Sequence, residues 1–107
     1  MPQTYLINTP VLTAYGEWCF EGPIEVSRAR ALLRDGFVSA IGHEGSARFL
    51  SALLGIDAPV NRATIEMLPG DRAVVLRLKT RLPEGQVLTE AQMRALPFEL
   101  GLLTRVS

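Results

Sequence analysis

The stretch FVSAIGHEGSARFLSALLG, from Phe37 to Gly55, decides the fold. Phe37, Val38, Ala40 and Ile41 form a short apolar run ended by Gly42, the pattern of a strand covered on both faces. Ala47, Leu50, Leu53 and Leu54 then recur at helical spacing, and Gly55 stands where a helix stop belongs. A strand running directly into a helix is the unit of an α/β domain. The junction places His43 on the first turn of that helix. Backbone N–H groups there have no intrahelical acceptor and carry partial positive charge, which an anion such as a phosphate prefers. A lone histidine at a helix start also serves simply as a cap or a packing residue.

The rest of the composition narrows the class. With 107 residues, 48% of them hydrophobic and 21% charged, the chain fits one globular domain over 1–107 with a real core. Eleven basic and eleven acidic residues give a net charge of +0, so no global field draws the protein onto duplex DNA or an anionic membrane, and an anion site must be local. Cys19 is the only cysteine; with the single His43 it supplies too few ligands for a structural zinc site, and it fits a reducing cytosol. The start MPQTYLINTP lacks the charged head and apolar core of a signal peptide. No apolar run approaches the roughly 20 residues that span a bilayer.

Outward from the central stretch, TYLIN (Thr4 to Asn8) is β-branched and aromatic and predicts a first strand ending at an Asn-Thr-Pro breaker. Asn8 then lies at a strand end, where a polar side chain lines the ligand crevice of many α/β sheets or merely forms a turn. Short extended pieces are expected at Val11 to Ala14 and Glu17 to Phe20, with Trp18 and Phe20 in the core or at a dimer contact. A helix from about Glu25 to Arg34 buries Val26, Ala29, Leu32 and Leu33, stops at Gly36, and leaves Arg28, Arg30 and Arg34 on its solvated surface. Asn61 to Met67 alternates as a strand would, with Arg62, Thr64 and Glu66 on one side. Pro69-Gly70-Asp71 is a turn. Ala73 to Leu82 is the clearest strand, with Arg77, Lys79 and Arg81 on one face, either a solvated basic face or an anion-binding one. The turn Leu82-Pro83-Glu84-Gly85 sets a carboxylate three residues after Arg81. Thr89 and Gln92 form a capping box for a short helix ended at Pro97, and Phe98 to Val106 is a last strand or a docked tail.

The sequence holds no GxGxxG or GxxxxGK[ST] phosphate loop and no evident nucleophilic triad. What remains is His43 at a helix start, Arg62, the Arg77/Lys79/Arg81 face and Glu84. These suit phosphodiester cleavage without a metal: cations stabilise charge on the non-bridging oxygens and a general acid protonates the departing oxygen. On an RNA substrate the 2′-hydroxyl itself can attack. A general acid must begin as imidazolium, and Glu84 is the carboxylate that would favour that form.

YLIN, the EGP turn at Glu21 to Pro23, SAIGHEGSARFLSALLG, VNR at Val60 to Arg62, RLPEG at Arg81 to Gly85 and FELGLLTR at Phe98 to Arg105 together resemble the type III anti-CRISPR ring nucleases and their cellular homologues. The similarity covers nearly the whole chain, in order and at matching spacing. It implies a mixed β-sheet of about five strands packed with helices, and a two-fold homodimer that binds cyclic tetra-adenylate at its interface and opens it without metal or cofactor, in the cytoplasm of the cell or host. By that resemblance His43 protonates the 5′-oxygen, Glu84 assists at the same centre and Arg81 stabilises the phosphorane. Asn8 and Arg62 match positions lining the ligand cavity; Gly42, Gly45 and Ser46 in the histidine segment, and Arg77, complete the ligand-binding candidates. The chain departs from the pattern at Gly45, where some members carry a hydroxyl or an alanine; Ser46 keeps a hydroxyl one position later. Two other classes remain open, a non-enzymatic cyclic-oligoadenylate-binding protein and a DNA-binding viral regulator, the latter opposed by zero net charge and the lack of a recognition helix or basic tail.

Overall fold

The structure is a computed structural model that describes residues 3–9, 11–62, 64–78 and 98–107. In chain order the elements are strand β1 (Thr4–Ile7), strand β2 (Trp18–Glu21), helix α1 (Val26–Leu33), strand β3 (Val38–Ala40), helix α2 (Glu44–Leu54), strand β4 (Arg72–Leu78) and strand β5 (Phe98–Arg105). The strands form one mixed sheet in the order β2-β5-β4-β1-β3. β1 runs parallel to both β3 and β4, whereas β5 is antiparallel to β4 and to β2.

Alternation along the strands divides the core in two. Leu6, Val74, Leu76 and Leu100 face the helices and pack with Ala29, Leu33, Phe49, Leu50 and Leu54. Ile7, Ala73, Val75 and Leu103 face the other way, against Met67. Phe49 meets Phe98 edge to face at 4.9 Å between ring centroids, tying α2 to the start of β5.

The sheet-forming sequences behave largely as their patterns predict, and the differences have physical causes. β4 is buried on both faces: Ala73, Val74, Val75 and Leu76 are all 0% exposed, Val74 and Leu76 in the helix-side cluster and Ala73 and Val75 in the open-face cluster. β3, expected to be covered in that way, lies at the sheet edge, and Val38 is 38% exposed. Asn61 to Met67, expected as a strand, is not one among its described residues. Met67 is buried and Ile65 half-buried, while Arg62, Thr64 and Glu66 are exposed, so the alternation is real. It arises because the segment lies over the open sheet face as a cover: its amide at Met67 bonds to the Thr13 hydroxyl and its carbonyl there to the Arg105 side chain. Val11 to Ala14 likewise forms no strand. Trp18 is half-buried against the open-face cluster, and Phe20 is 47% exposed.

α1 begins and ends within a residue of its expected limits, with Ala29 and Leu33 buried. Arg30 is exposed, as expected, and also donates from Nε to Leu54 O at 3.0 Å and from Nη2 to Leu53 O, satisfying carbonyls at the end of α2 and complementing its dipole. Gly55 closes α2 in the left-handed conformation at φ 64°. Among the described residues no helix is long and apolar enough to cross a membrane.

The turn entering β4 is held by Asp71, which is 5% exposed and accepts from the Gln3 and Leu68 amides at 2.8 Å each. Burial, and after it this carboxylate, raise the Tyr5 phenol above its ordinary value of 10.0. The folded state therefore favours the neutral phenol, and the associated stability is present below about pH 10 and lost as pH rises through the folded-state value. In a Tyr15→Phe variant, where Tyr5 is the remaining tyrosine, phenolate absorbance should appear with a midpoint above 10.0; a midpoint at or below that value would contradict this assignment. Truncating Leu50, 0% exposed at the centre of the helix-side core, to alanine should lower unfolding free energy by about 2 to 5 kcal/mol in urea titrations.

Candidate functional site

Because β1, β3 and β4 are parallel, their carboxyl ends open on one side of the sheet, the side on which α/β sheets bind ligands. Asn8 follows β1 there, and Gly42 and His43 follow β3. The edge of β3 is stitched to the chain that comes after α2. Ile41 bridges Val60, the Asn61 amide donates to Ile41 O at 2.9 Å, the Asn61 side chain donates to Ser39 O at 2.6 Å, and Ser39 Oγ donates to Pro59 O at 2.6 Å. The Asn61 backbone and side chain thus take up two carbonyls of an edge that would otherwise present them free. The same segment delivers Arg62 beside Gly42.

His43 is the N-cap of α2. Its backbone is extended, at φ −131° and ψ 124°, and its Nδ1 accepts from the Ser46 amide at 3.3 Å while its carbonyl accepts from Ala47 N at 3.0 Å. One of the orphan donors of the first turn is thereby satisfied. With Nδ1 as acceptor, the neutral ring carries its proton on Nε2. Glu44, the first residue of α2, pairs with Arg48 one turn on, an exposed i,i+4 pair that leaves the carboxylate engaged away from the histidine. Gly45 and Ser46 are buried, and the Ser46 hydroxyl has no hydrogen-bond partner among the described residues. Buried hydroxyls without partners are uncommon.

Gly42 is gripped from both sides. Asn8 Oδ1 accepts from its amide at 3.4 Å, and Arg62 Nε donates to its carbonyl at 3.1 Å. Next to this junction, on the open face of the sheet, lies a cavity of about 340 Å³ whose floor is Ile7 and Ala40, a registered pair, and whose walls include Asn8, Val11, Thr64 and Ile65. An apolar floor with polar groups at its rim is the usual make-up of a small-molecule pocket.

The family profile described as STIV B116-like matches residues 4–100. The chain belongs to this family. It is 40% identical over 111 residues to uncharacterized protein ORF117 of Acidianus two-tailed virus, covering 95% of this chain and 92% of that one. It is 33% identical over 103 residues to uncharacterized protein YddF of Bacillus subtilis, covering 94% of each. Among solved structures, B116 of Sulfolobus turreted icosahedral virus superposes with a TM-score of 0.75 at 19% identity, covering 96% of this chain and 99% of that chain, a likeness of fold. The family therefore spans archaeal viruses and a bacterium.

In this STIV B116-like chain the predicted residues fall into three groups. Asn8, Gly42, His43, Gly45, Ser46 and Arg62 converge at one junction. Arg77 does not join them. It sits on β4 with β1 between it and β3, donates to Glu99 at 2.9 Å across the β4–β5 pair, and lines a separate cavity of about 310 Å³ with Phe20, Glu21 and Gly101. Phe20 lies against Gly101, where an added Cβ would come within 2.6 Å of the ring. Arg81 and Glu84 lie outside the described residues, as do Lys79, the Pro83-Glu84-Gly85 turn and the helix expected from Thr89 to Pro97. In the sequence Asn61 reads only as the start of an expected strand and Ser39 has no assigned role, whereas both stitch the β3 edge to the chain after α2.

Gly42 does not have a positive φ, and among the described residues a Cβ there would meet only Arg62 Cγ, at 3.8 Å. Gly42→Ala should therefore be tolerated and raise stability by about 0.4 to 1 kcal/mol in denaturant titrations, through the narrower unfolded ensemble.

Proposed function

We propose that the protein is a metal-independent ring nuclease, acting as a two-fold homodimer that takes up cyclic tetra-adenylate at its interface and opens it, and so switches off type III CRISPR signalling in the cytoplasm of the infected or host cell. The observation that carries this reading is His43 as the cap of α2, exposed enough to reach a ligand, at a helix N-terminus that favours a phosphate and beside Arg62 and the buried Ser46 hydroxyl. The ring-nuclease resemblance of the surrounding motifs supplies the reaction.

In that reaction the 2′-oxygen of one nucleotide attacks the adjacent phosphorus, the bond from phosphorus to the 5′-oxygen breaks, and the product ends in a 2′,3′-cyclic phosphate. The 2′-hydroxyl loses its proton to solvent as it attacks, and the departing 5′-oxygen receives one from the His43 imidazolium, in which Nδ1 carries a proton and no longer accepts from the Ser46 amide. Arg81 stabilises the charge that builds on the non-bridging oxygens and Glu84 favours the imidazolium, the roles that the RLPEG motif carries in the resemblance. The substrate supplies its own nucleophile, so no activated side chain is needed. A ring of four nucleotides has a symmetry that a two-fold dimer can match, presenting equivalent phosphates to both copies of His43. Zero net charge is compatible with this, because a compact tetra-anion needs converging local cations rather than a basic protein.

A second reading draws on the same observation. The Nδ1 bond to Ser46 is a complete structural role for His43, and a protein that binds the cyclic ligand without cleaving it would keep every feature of the junction. Incubation with cyclic tetra-adenylate in excess chelator separates the two. The ring-nuclease reading expects linear products with 2′,3′-cyclic phosphate ends and a rate about 10² to 10⁴ times lower for His43→Ala. Cleavage by that variant at the parental rate would remove the histidine from the mechanism, and saturable binding with no product at stoichiometric protein would establish the binding protein instead.

A further inference from the structure

Gly42 is the single residue between Ile41, whose isolated bridge to Val60 follows β3, and the cap His43. A glycine has the widest backbone freedom of any residue. Here, among the described residues, neither a left-handed conformation nor close packing restricts it, since its φ is not positive and a Cβ would meet only Arg62 Cγ at 3.8 Å. Yet the imidazole that follows must be aimed within a narrow range for its Nδ1 to cap the Ser46 amide. Something other than the glycine itself has to fix the chain at this point.

Two side chains from distant parts of the sequence do so. Asn8 Oδ1 accepts from the Gly42 amide and Arg62 Nε donates to the Gly42 carbonyl. The amide belongs to the peptide plane before the Gly42 Cα and the carbonyl to the plane after it, so one bond restrains φ and the other ψ. We infer that Asn8 and Arg62 are positioning residues: they clamp the two peptide planes that meet at Gly42 and thereby orient the His43 imidazole. The catalytic consequence of this inference rests on the ring-nuclease reading, whereas the clamp itself does not.

The two anchors are themselves well held. Asn8 directly follows Ile7, which is in register with Ala40 of β3 and Val75 of β4. Arg62 follows Asn61, whose amide and side chain both bond to the edge of β3. The clamp therefore refers the position of the histidine to the rigid sheet rather than to the turn that carries it, as preorganisation of a reacting group requires. It also leaves each residue with donors to spare. Among the described residues, Asn8 Nδ2 and the Arg62 Nη groups have no hydrogen-bond partner, so ligand contact and positioning are not exclusive roles.

The test uses amide hydrogen exchange by NMR on the free full-length protein, followed by cleavage kinetics with cyclic tetra-adenylate. In Asn8→Ala and in Arg62→Ala, the Ser46 amide, which donates to His43 Nδ1, should exchange about five- to tenfold faster, while the Leu50 amide in the helix core keeps its parental rate. Asn8→Asp retains an oxygen acceptor for the Gly42 amide but no donor for a ligand, and it should keep Ser46 protection near the parental level. Unchanged Ser46 exchange in both alanine variants, or acceleration shared equally by Leu50, would overturn the clamp. In the cleavage assay Asn8→Ala should lower kcat on the order of tenfold with little change in KM. A rise in KM alone would overturn the catalytic consequence and leave Asn8 a ligand contact. Should the parental protein yield no product at all, the ring-nuclease reading fails while the exchange data still decide the clamp.

Discussion

Parallel pairing of β1 with both β3 and β4 is the constraint on which the rest of the molecule depends. Parallel neighbours cannot be joined by a tight turn, so the chain must leave the sheet and return, and the connections that do this are α1 between β2 and β3 and the α2-containing segment between β3 and β4. Both helices pack on the same face of the sheet, and the parallel pairing gathers three strand ends on one side. The open face opposite the helices is covered instead by loop, with Ile65 and Met67 packed on Ile7, Ala73 and Val75.

Within this frame α2 is held at both ends by groups from elsewhere in the chain. At its start the histidine caps an amide and is placed by residues after β1 and after the α2 crossover; at its end Arg30 of α1 takes up the free carbonyls and Gly55 turns the chain away. Satisfying helix ends with tertiary partners fixes the axis of the helix as well as its length. The consequence for chemistry is a helix N-terminus whose position is set by the sheet.

Zero net charge sits comfortably with this arrangement. Arg30, Arg77 and Arg105 are committed to protein partners: Arg30 to helix carbonyls, Arg77 to Glu99, and Arg105 to the Met67 and Tyr15 carbonyls with its guanidinium over Trp18. Arg62, by contrast, spends a single nitrogen on the protein among the described residues and stands exposed beside the histidine. Counting cations in the sequence could not distinguish these uses.

By itself the sequence determined what depends on near neighbours. The 3.6-residue spacing of Ala47, Leu50 and Leu54, the glycine stop, the histidine at the helix start and the alternation in β4 all record which residues face inward, and each is visible within one turn or one strand. The resemblance carried by YLIN, the histidine segment and VNR also grouped Asn8, Gly42, Gly45, Ser46 and Arg62 as ligand-binding candidates, together with Arg77. Only the tertiary structure decided which strands are neighbours. It put the apolar Phe37 to Ile41 run at an edge and the AVVL run at the centre, turned the alternating Asn61 to Met67 segment into a cover, drew Arg30 onto a helix end, and separated Arg77 from the histidine. The physical reason is distance along the chain: Asn8 meets Gly42 across 34 positions and Gln3 meets Asp71 across 68, and no local pattern of apolar and polar residues encodes pairings that depend on where the backbone returns.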